Sequence, residues 1–248
     1  SLKLTSNLHS LVSAWIPRLG SNNWAVNPSR STTGAAIVVN DPHLSVRSMP
    51  GMLHPIGLQS PNIQAVGYAF PGVPGLIGGR TNYVAFGVTN AYGDVQDLYV
   101  ETVNPANDNE YKSDDDWLTF AREDHTFNVK DSSTEKGYRA ETIQYRKTNH
   151  GIVASDLGLF DDKLPGAVIS LRWALDEGNR GGIGVINMML AKDVFEFDKA
   201  LAEFDTVMFN FVFGDTKGNI GHRSTGRIPI RSDKNGAYLR DGATAGNH

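Results

Sequence analysis

Cysteine is absent from the 248 residues of this sequence. Its absence excludes a disulfide framework, thiolate metal ligands and a cysteine nucleophile, but it leaves the cellular compartment open. Long hydrophobic runs are absent as well, since no segment approaches the ~18 apolar residues of a membrane-spanning helix. The first residues also lack the basic region followed by an apolar region that is typical of a signal peptide. We therefore expect a soluble chain that does not enter a membrane.

A surplus of positive charge is also missing. The formal net charge is −4 and the isoelectric point is near 6.0, so binding to nucleic acid or to an anionic membrane surface is disfavoured. Hydrophobic residues make up 40% of the chain and charged residues 20%, which is typical of a globular protein. The length fits one large domain or two small ones. Short β-branched runs between 26 glycines and 11 prolines indicate a sheet-rich fold with many turns.

A glycine-serine junction, Gly20-Ser21, precedes the β-prone segment Trp24–Val26. A serine hydroxyl attacks poorly until a base removes its proton, and a free α-amine on the same residue can be that base. Such an amine titrates near ~7.7–8.0, so part of it is unprotonated at neutral pH. Cleavage before Ser21 exposes the amine, and Gly20 tolerates the strained backbone that cleavage needs. On these residues alone, a surface turn is the alternative interpretation.

Two short strands follow the serine. Trp24–Val26 and Gly34–Val39 are apolar, and the segment between them is rich in turn residues. A hairpin of these strands brings the end of the second strand near the start of the first. It therefore places Asn40-Asp41-Pro42-His43 within reach of Ser21, where a polar group can orient the nucleophile. A hydrogen-bonded loop histidine is the alternative for His43.

Four short motifs occur in order along the chain: Ser21–Trp24 (SNNW), Asn40–His43 (NDPH), Pro71–Gly75 (PGVPG) and Phe86–Asp94 (FGVTNAYGD). Their order closely resembles the start of the catalytic chain of penicillin acylases, a family that also includes cephalosporin acylases and acyl-homoserine lactone acylases. The family belongs to the N-terminal nucleophile (Ntn) hydrolases. The resemblance implies an α+β fold, a four-layer αββα sandwich with antiparallel sheets, of which this chain contains only a part.

The resemblance also implies roles for individual residues. Ser21 is the nucleophile, and His43 positions it. The main-chain N–H of Asn90 donates to the oxyanion of the tetrahedral intermediate. Asn210 interrupts the apolar strand Val207–Phe213, where a buried asparagine must find partners, and it matches the family's second oxyanion donor. Arg231 matches a family arginine near the active centre, where it holds the Ser21 amine or neutralises negative charge; a surface salt bridge is the alternative.

Three aspartates are candidate metal ligands. Asp94 and Asp97 match a place where several family members bind calcium, and Asp215 is a weaker candidate. Carboxylate oxygens suit calcium, although two aspartates in a turn are more often simply solvated. We expect no cofactor for catalysis and at most a structural calcium ion.

Two further patterns concern the scaffold. His150 precedes a glycine and is interpreted as structural. Between Ile183 and Phe204 the apolar residues recur at helical spacing, and Asp193 is a plausible N-cap of the later helix.

The resulting hypothesis is an amide hydrolase that cleaves acyl amides such as penicillins or N-acyl-homoserine lactones. Residues 1–20, with leucines at helical spacing, are then a spacer or the end of a preceding subunit, and residues 21–248 are the N-terminal part of the catalytic chain. The expected partners are a small acyl amide, the preceding subunit and the remaining catalytic-chain segments of the same precursor. By resemblance, the protein is periplasmic or secreted.

Two alternatives stay open. One is a noncatalytic binding or structural module, or an unprocessed precursor, that retains the scaffold. The other is a Ser-His-Asp hydrolase using a different serine, which is disfavoured because no Gly-x-Ser-x-Gly motif occurs.

Overall fold

The computed structural model describes residues 20–44, 51–159, 164–178, 180–205, 207–231, 236 and 238–244. The helix and spacer predicted for residues 1–20 lie outside the described residues, apart from Gly20.

The described elements in chain order are β1 (Asn22–Val26), β2 (Ile37–Asp41), β3 (His54–Gln59), β4 (Gln64–Ala69), β5 (Gly78–Thr81), β6 (Val84–Asn90), β7 (Gln96–Asn104), β8 (Asn107–Ser113), β9 (Asp116–Thr119), β10 (Ala121–Lys130), β11 (Tyr138–Thr148), β12 (Gly151–Val153), β13 (Ala167–Trp173), α1 (Gly181–Leu190), α2 (Val194–Leu201), β14 (Phe209–Asp215), β15 (Ile220–Ser224) and β16 (Arg240–Asp241). Short 3₁₀ turns cover Pro28–Arg30, Ala154–Leu157 and Ala174–Glu177.

The chain divides into two compact units. The first unit contains the described residues up to Gly93 together with those of Gly178–Arg227. The second contains Asp94–Glu177 and the described residues from Ile228 onward.

The first unit is built on a six-stranded sheet with the order β15-β14-β6-β5-β4-β3. All of its neighbouring strands are antiparallel. The predicted hairpin is confirmed as a separate two-stranded sheet, in which β1 and β2 pair Asn22 with Asp41. The antiparallel part of the fold prediction is therefore confirmed for this unit.

The two faces of the six-stranded sheet carry different layers, because side chains alternate along a strand. On one face, the Phe213 ring lies 5.1 Å from the ring of Phe197 in α2. On the other face, a Cβ on Gly214 would lie 3.3 Å from atoms of Ala36, which precedes β2, and of Val38, which lies in β2. The first unit thus contains a helix layer, the six-stranded sheet and the hairpin sheet, in that order. The fourth layer of the predicted sandwich stays a prediction.

The helix layer follows from a capped amphipathic sequence. Asp193 Oδ1 accepts hydrogen bonds of 3.1 Å from the main-chain N–H groups of Phe195 and Glu196, which satisfies donors that a helix start leaves unpaired. The predicted N-cap is confirmed. The apolar residues of α2 that meet the core recur at helical spacing: Val194, Phe197, Ala200 and Leu201.

The second unit is a sheet with the order β10-β11-β12-β13-β7-β8-β9, to which β16 adds in parallel with β7. A buried polar cluster stabilises it. His150 Nδ1 lies 2.9 Å from Glu101 Oε1, and the same oxygen accepts hydrogen bonds from Ser170 and Thr148. Burial raises the pKa of the Glu101 carboxyl, but these hydrogen bonds outweigh burial and hold that pKa below its ordinary value. The structural interpretation of His150 is confirmed.

Neither α1 nor α2 is long and apolar enough to cross a bilayer, and the same holds for every helix among the described residues.

Replacing Gly87 tests how closely the hairpin sheet rests on β6. A Cβ at this position would lie 2.6 Å from Asn40 Cβ, so the Gly87→Ala variant must displace the hairpin. We expect it to lower the stability of the full-length protein by about 1–3 kcal/mol, as overpacking does, measured by urea unfolding. Gly57→Ala in β3 is the control, because a Cβ there meets none of the described atoms within 4 Å. Equal stability of the two variants would contradict the close contact.

Candidate active site

Ser21 lies directly before β1, and the main chain of His43 holds its hydroxyl oxygen. The His43 nitrogen donates to Ser21 Oγ over 3.1 Å. The imidazole pairs instead with Asp41, at 2.8 Å between Nε2 and Oδ2. His43 therefore contacts the serine through its N–H and not through its ring, and this is not the arrangement of a Ser-His-Asp triad.

Asn23 joins the hairpin sheet to β14 and β6, two neighbouring strands of the six-stranded sheet. Its Nδ2 donates to the main-chain oxygen of Asn210 over 2.9 Å and to that of Gly87 over 3.3 Å. Residues two apart on an extended chain project to the same side, and they are about 7 Å apart. Ser21, which continues β1 by one residue, therefore projects toward the same strands as Asn23.

Asn40 makes the second connection. Its Nδ2 donates to Val88 O over 2.9 Å, and its Oδ1 accepts from Val88 N over 3.0 Å. The carboxamide thus pairs with Val88 as a neighbouring strand does. The same Nδ2 donates to Asn22 O over 3.3 Å, and the Tyr68 hydroxyl donates to Oδ1. Every hydrogen-bonding position of this carboxamide is therefore used.

The Tyr68 hydroxyl that donates to Asn40 is protonated at physiological pH. Burial raises the pKa of the Tyr68 hydroxyl to about 12. The hydroxyl therefore keeps its proton throughout the physiological pH range.

The N–H of Asn90 points away from β14. Ala91 N donates to Met208 O over 3.0 Å, and hydrogen-bonded and non-hydrogen-bonded pairs alternate along an antiparallel ladder. The neighbouring pair of Asn90 and Phe209 is consequently not hydrogen-bonded. The Asn90 N–H therefore lies on the same side of β6 as the N–H of Val88, and its role as an oxyanion donor stays a prediction.

Asn210 lies on the face of β14 that carries the hairpin sheet, the face it shares with Gly214. Its Oδ1 accepts a hydrogen bond of 2.6 Å from Ser224 Oγ on β15. Because the oxygen end of the carboxamide is held in this way, its Nδ2 end is directed elsewhere as a donor. Its two hydrogens are the side-chain donors that the predicted oxyanion site needs.

Four of the predicted residues therefore belong to one connected arrangement in the first unit: Ser21, His43, Asn90 and Asn210. The hairpin that carries Ser21 is hydrogen-bonded to the strands that carry the two asparagines.

Arg231 lies in the second unit, where it contacts two carboxylates and, over 3.2 Å, the main-chain oxygen of Asp94. Its Nε lies 3.0 and 2.9 Å from the two oxygens of Asp97, and its Nη2 lies 3.2 Å from Asp94 Oδ1. The Nε of Arg240 adds a second cation, 3.1 Å from Asp97 Oδ1. The predicted role of Arg231 toward the Ser21 amine stays a prediction.

Asp215 organises a turn in the first unit. Its Oδ1 accepts from the N–H groups of Lys217 and Asn219, both at 2.9 Å, and its Oδ2 accepts from Val194 N at 3.2 Å and Asn219 Nδ2 at 3.0 Å. Burial raises the pKa of this carboxyl, but the four hydrogen bonds outweigh burial and lower the pKa. The carboxylate thereby joins the β14–β15 turn to the start of α2.

Two of the three candidate calcium ligands, Asp97 and Asp215, make other contacts in the structure. Asp97 is held between two guanidinium groups, whose charge opposes a divalent cation, and Asp215 is engaged by four N–H donors. Among the described residues, no group of three or more His, Asp and Glu side chains is arranged to hold a metal ion. The calcium site stays a prediction, and the geometry of these carboxylates does not favour it.

The sequence model of the penicillin amidase family matches residues 2–248. The chain belongs to the penicillin amidase family. Among curated members, the acyl-homoserine lactone acylase QuiP of Pseudomonas aeruginosa is 32% identical over 224 residues, which are 87% of this chain and 26% of the relative. The penicillin acylase 2 proenzyme of Pseudomonas sp. is 32% identical over 220 residues, 88% of this chain and 27% of that protein.

A solved member of the family has the same fold. The thermostable penicillin G acylase from Alcaligenes faecalis superimposes with a TM-score of 0.75 at 24% identity, covering 89% of this chain and 38% of that one. By the coverage of the two curated relatives above, the chain spans about a quarter of their length.

Four residues of this arrangement are not predicted individually by the sequence. Asn23 and Asn40 lie within the motifs, and Tyr68 and Ser224 lie outside them. Asparagine is disfavoured inside strands, so the presence of Asn23 and Asn40 within the first two strands is the available signal. No local pattern points to Tyr68 or Ser224, because their partners are distant in sequence.

Exchanging Asn40 for aspartate tests the connection to Val88. The Asn40→Asp variant keeps the shape of the side chain but turns a donor toward two carbonyl oxygens into an acceptor. We expect a loss of stability of about 1–3 kcal/mol, together with impaired activity, measured by unfolding and turnover of the full-length protein. Asn82→Asp is the control, because its amide makes one exposed hydrogen bond, to Gln64. Unchanged stability of Asn40→Asp would contradict this role.

Exchanging Asp215 for asparagine distinguishes a role of this carboxylate in the turn from a role as a metal ligand. The low pKa of Asp215 predicts stability that is present above the ordinary carboxyl pKa and is lost as pH falls through the lowered value. The Asp215→Asn variant should lose about 1–3 kcal/mol near neutral pH, because one oxygen acceptor becomes a donor. Urea unfolding should give the same loss in calcium and in EDTA. A loss seen only with calcium present would instead assign Asp215 to a metal site.

Proposed function

We propose that the full-length protein that contains this chain hydrolyses acyl amides through an acyl-enzyme on Ser21, after cleavage between Gly20 and Ser21. The observation that supports this most is the hydrogen bond from His43 N–H to Ser21 Oγ, on a hairpin that is bonded to the strands of Asn90 and Asn210. The family of the chain and the names of its relatives support the same reaction class.

The proposed chemistry has two steps. Ser21 Oγ bonds to the acyl carbon while the carbon–nitrogen bond of the amide breaks. The hydroxyl proton passes to the α-amine of Ser21 and then to the leaving amine. Water next attacks the ester, which releases the carboxylic acid and restores the hydroxyl.

The oxyanion of each tetrahedral intermediate is stabilised by the Asn90 N–H and Asn210 Nδ2. Removal of one such donor typically lowers kcat by about 10²–10³. His43 fixes the attacking oxygen through its N–H and leaves the role of base to the amine. An ordinary α-amine is protonated below ~7.7–8.0, so turnover should fall as pH decreases through that range.

The substrate class follows from the relatives. One relative is an acyl-homoserine lactone acylase and another is a penicillin acylase. The proposed substrates of this protein are therefore acyl amides, including penicillins and N-acyl-homoserine lactones. Because the chain spans about a quarter of these relatives, a preceding subunit and further catalytic-chain segments complete the fourth layer of the αββα sandwich and the acyl pocket. The proposal includes export to the periplasm or the outside of the cell.

Replacement of Ser21 tests the proposal. Ser21→Ala in the full-length protein should remove both chain cleavage and turnover of phenylacetyl and hexanoyl p-nitroanilides, because the variant has no hydroxyl to attack either carbonyl. Ser29→Ala is the matched control, since Ser29 is exposed and, among the described residues, hydrogen-bonds through its side chain to nearby Asn27. Chain mass and nitroaniline release are the measurements. Turnover by Ser21→Ala would place the nucleophile elsewhere, and an uncut, inactive wild type would favour a noncatalytic module.

A further inference from the structure

Ser224 lies directly opposite Asn210 on the neighbouring strand. The antiparallel pairing of β14 with β15 places the two residues in register, so their side chains share the face that carries the hairpin sheet. Ser224 Oγ donates to Asn210 Oδ1 over 2.6 Å. In this arrangement the hydroxyl holds the oxygen end of the carboxamide and leaves the Nδ2 end directed elsewhere.

A carboxamide has two ends of opposite character. The nitrogen end donates two hydrogen bonds, and the oxygen end only accepts. A rotation of about 180° exchanges the two ends with little change of shape, so packing alone does not select one of them. If the oxygen end faced a developing oxyanion, it would repel the intermediate.

We propose that Ser224 is a positioning residue, which holds the Asn210 carboxamide in the orientation that presents Nδ2 to the oxyanion. This inference rests on the proposed function, since it concerns the same reaction. Ser224 acts only through Asn210 and makes no contact with the substrate. Its effect therefore belongs to the transition state, where charge develops on the acyl oxygen, and not to ground-state binding.

The expected effect is smaller than the loss of the donor itself. An exposed hydrogen bond of this kind contributes a factor of about 2–10, so Ser224→Ala should lower kcat about 2–10-fold and leave KM unchanged. Ser224→Thr keeps a hydroxyl on a residue that suits a strand, and it should restore most of the lost rate.

A double-mutant cycle distinguishes positioning from a general effect on the strand. In the full-length, cleaved enzyme, Asn210→Ala alone should lower kcat for a phenylacetyl p-nitroanilide by about 10²–10³. Adding Ser224→Ala to Asn210→Ala should cause no further loss, because the group that Ser224 orients is gone. His222→Ala, two residues earlier on β15, is the control and should keep the wild-type kcat.

The outcomes separate this inference from the function on which it rests. A wild-type kcat for Ser224→Ala, or equal losses from Ser224→Ala with and without Asn210, would overturn the positioning role and leave the proposed function standing. Wild-type enzyme that is cleaved before Ser21 but does not release nitroaniline would overturn the proposed function, and the role of Ser224 with it. The positioning role is supported if Ser224→Ala lowers kcat only when Asn210 is present and if Ser224→Thr restores most of the rate.

Discussion

The site depends on two carboxamides that hydrogen-bond the hairpin to the main chain of the six-stranded sheet. Asn40 pairs with both the N–H and the C=O of Val88, and Asn23 donates to the main chain of Asn210 and Gly87. Backbone groups of a sheet must be paired when they are buried, so these contacts fix the hairpin on the sheet more specifically than apolar packing does. The hairpin in turn fixes Ser21, whose Oγ accepts a hydrogen bond from His43 N–H.

Much of the scaffold was predictable from the sequence because its signals are local. The apolar runs around Trp24 and Ile37 predicted the hairpin, and the hairpin predicted the closeness of His43 to Ser21. Asp193 predicted a helix start because an N-cap needs only its own neighbours. The family was predictable for a different reason. Each of the four motifs alone is a weak indication of a family, but their occurrence in this order is a specific one.

The details of the site were not predictable, because they depend on contacts between residues far apart in the chain. Asn40 meets Val88 across 48 residues and Asn23 meets Asn210 across 187. The sequence also predicts a calcium site at Asp94 and Asp97, and in the structure the Asp97 carboxylate pairs with Arg231 and Arg240. An aspartate motif alone does not distinguish a calcium ligand from a partner of arginine, because both cations bind carboxylate oxygens. The calcium site stays a prediction.

Covalent labelling of the mature nucleophile tests the central claim most directly. The full-length protein is treated with phenylmethylsulfonyl fluoride, and the labelled peptide is sequenced by mass spectrometry. The account predicts a chain that begins at Ser21 and carries one sulfonyl group on that residue, with loss of turnover in proportion to labelling. Inactivation with the label on another serine, or an active enzyme in which Gly20 is still joined to Ser21, would contradict it.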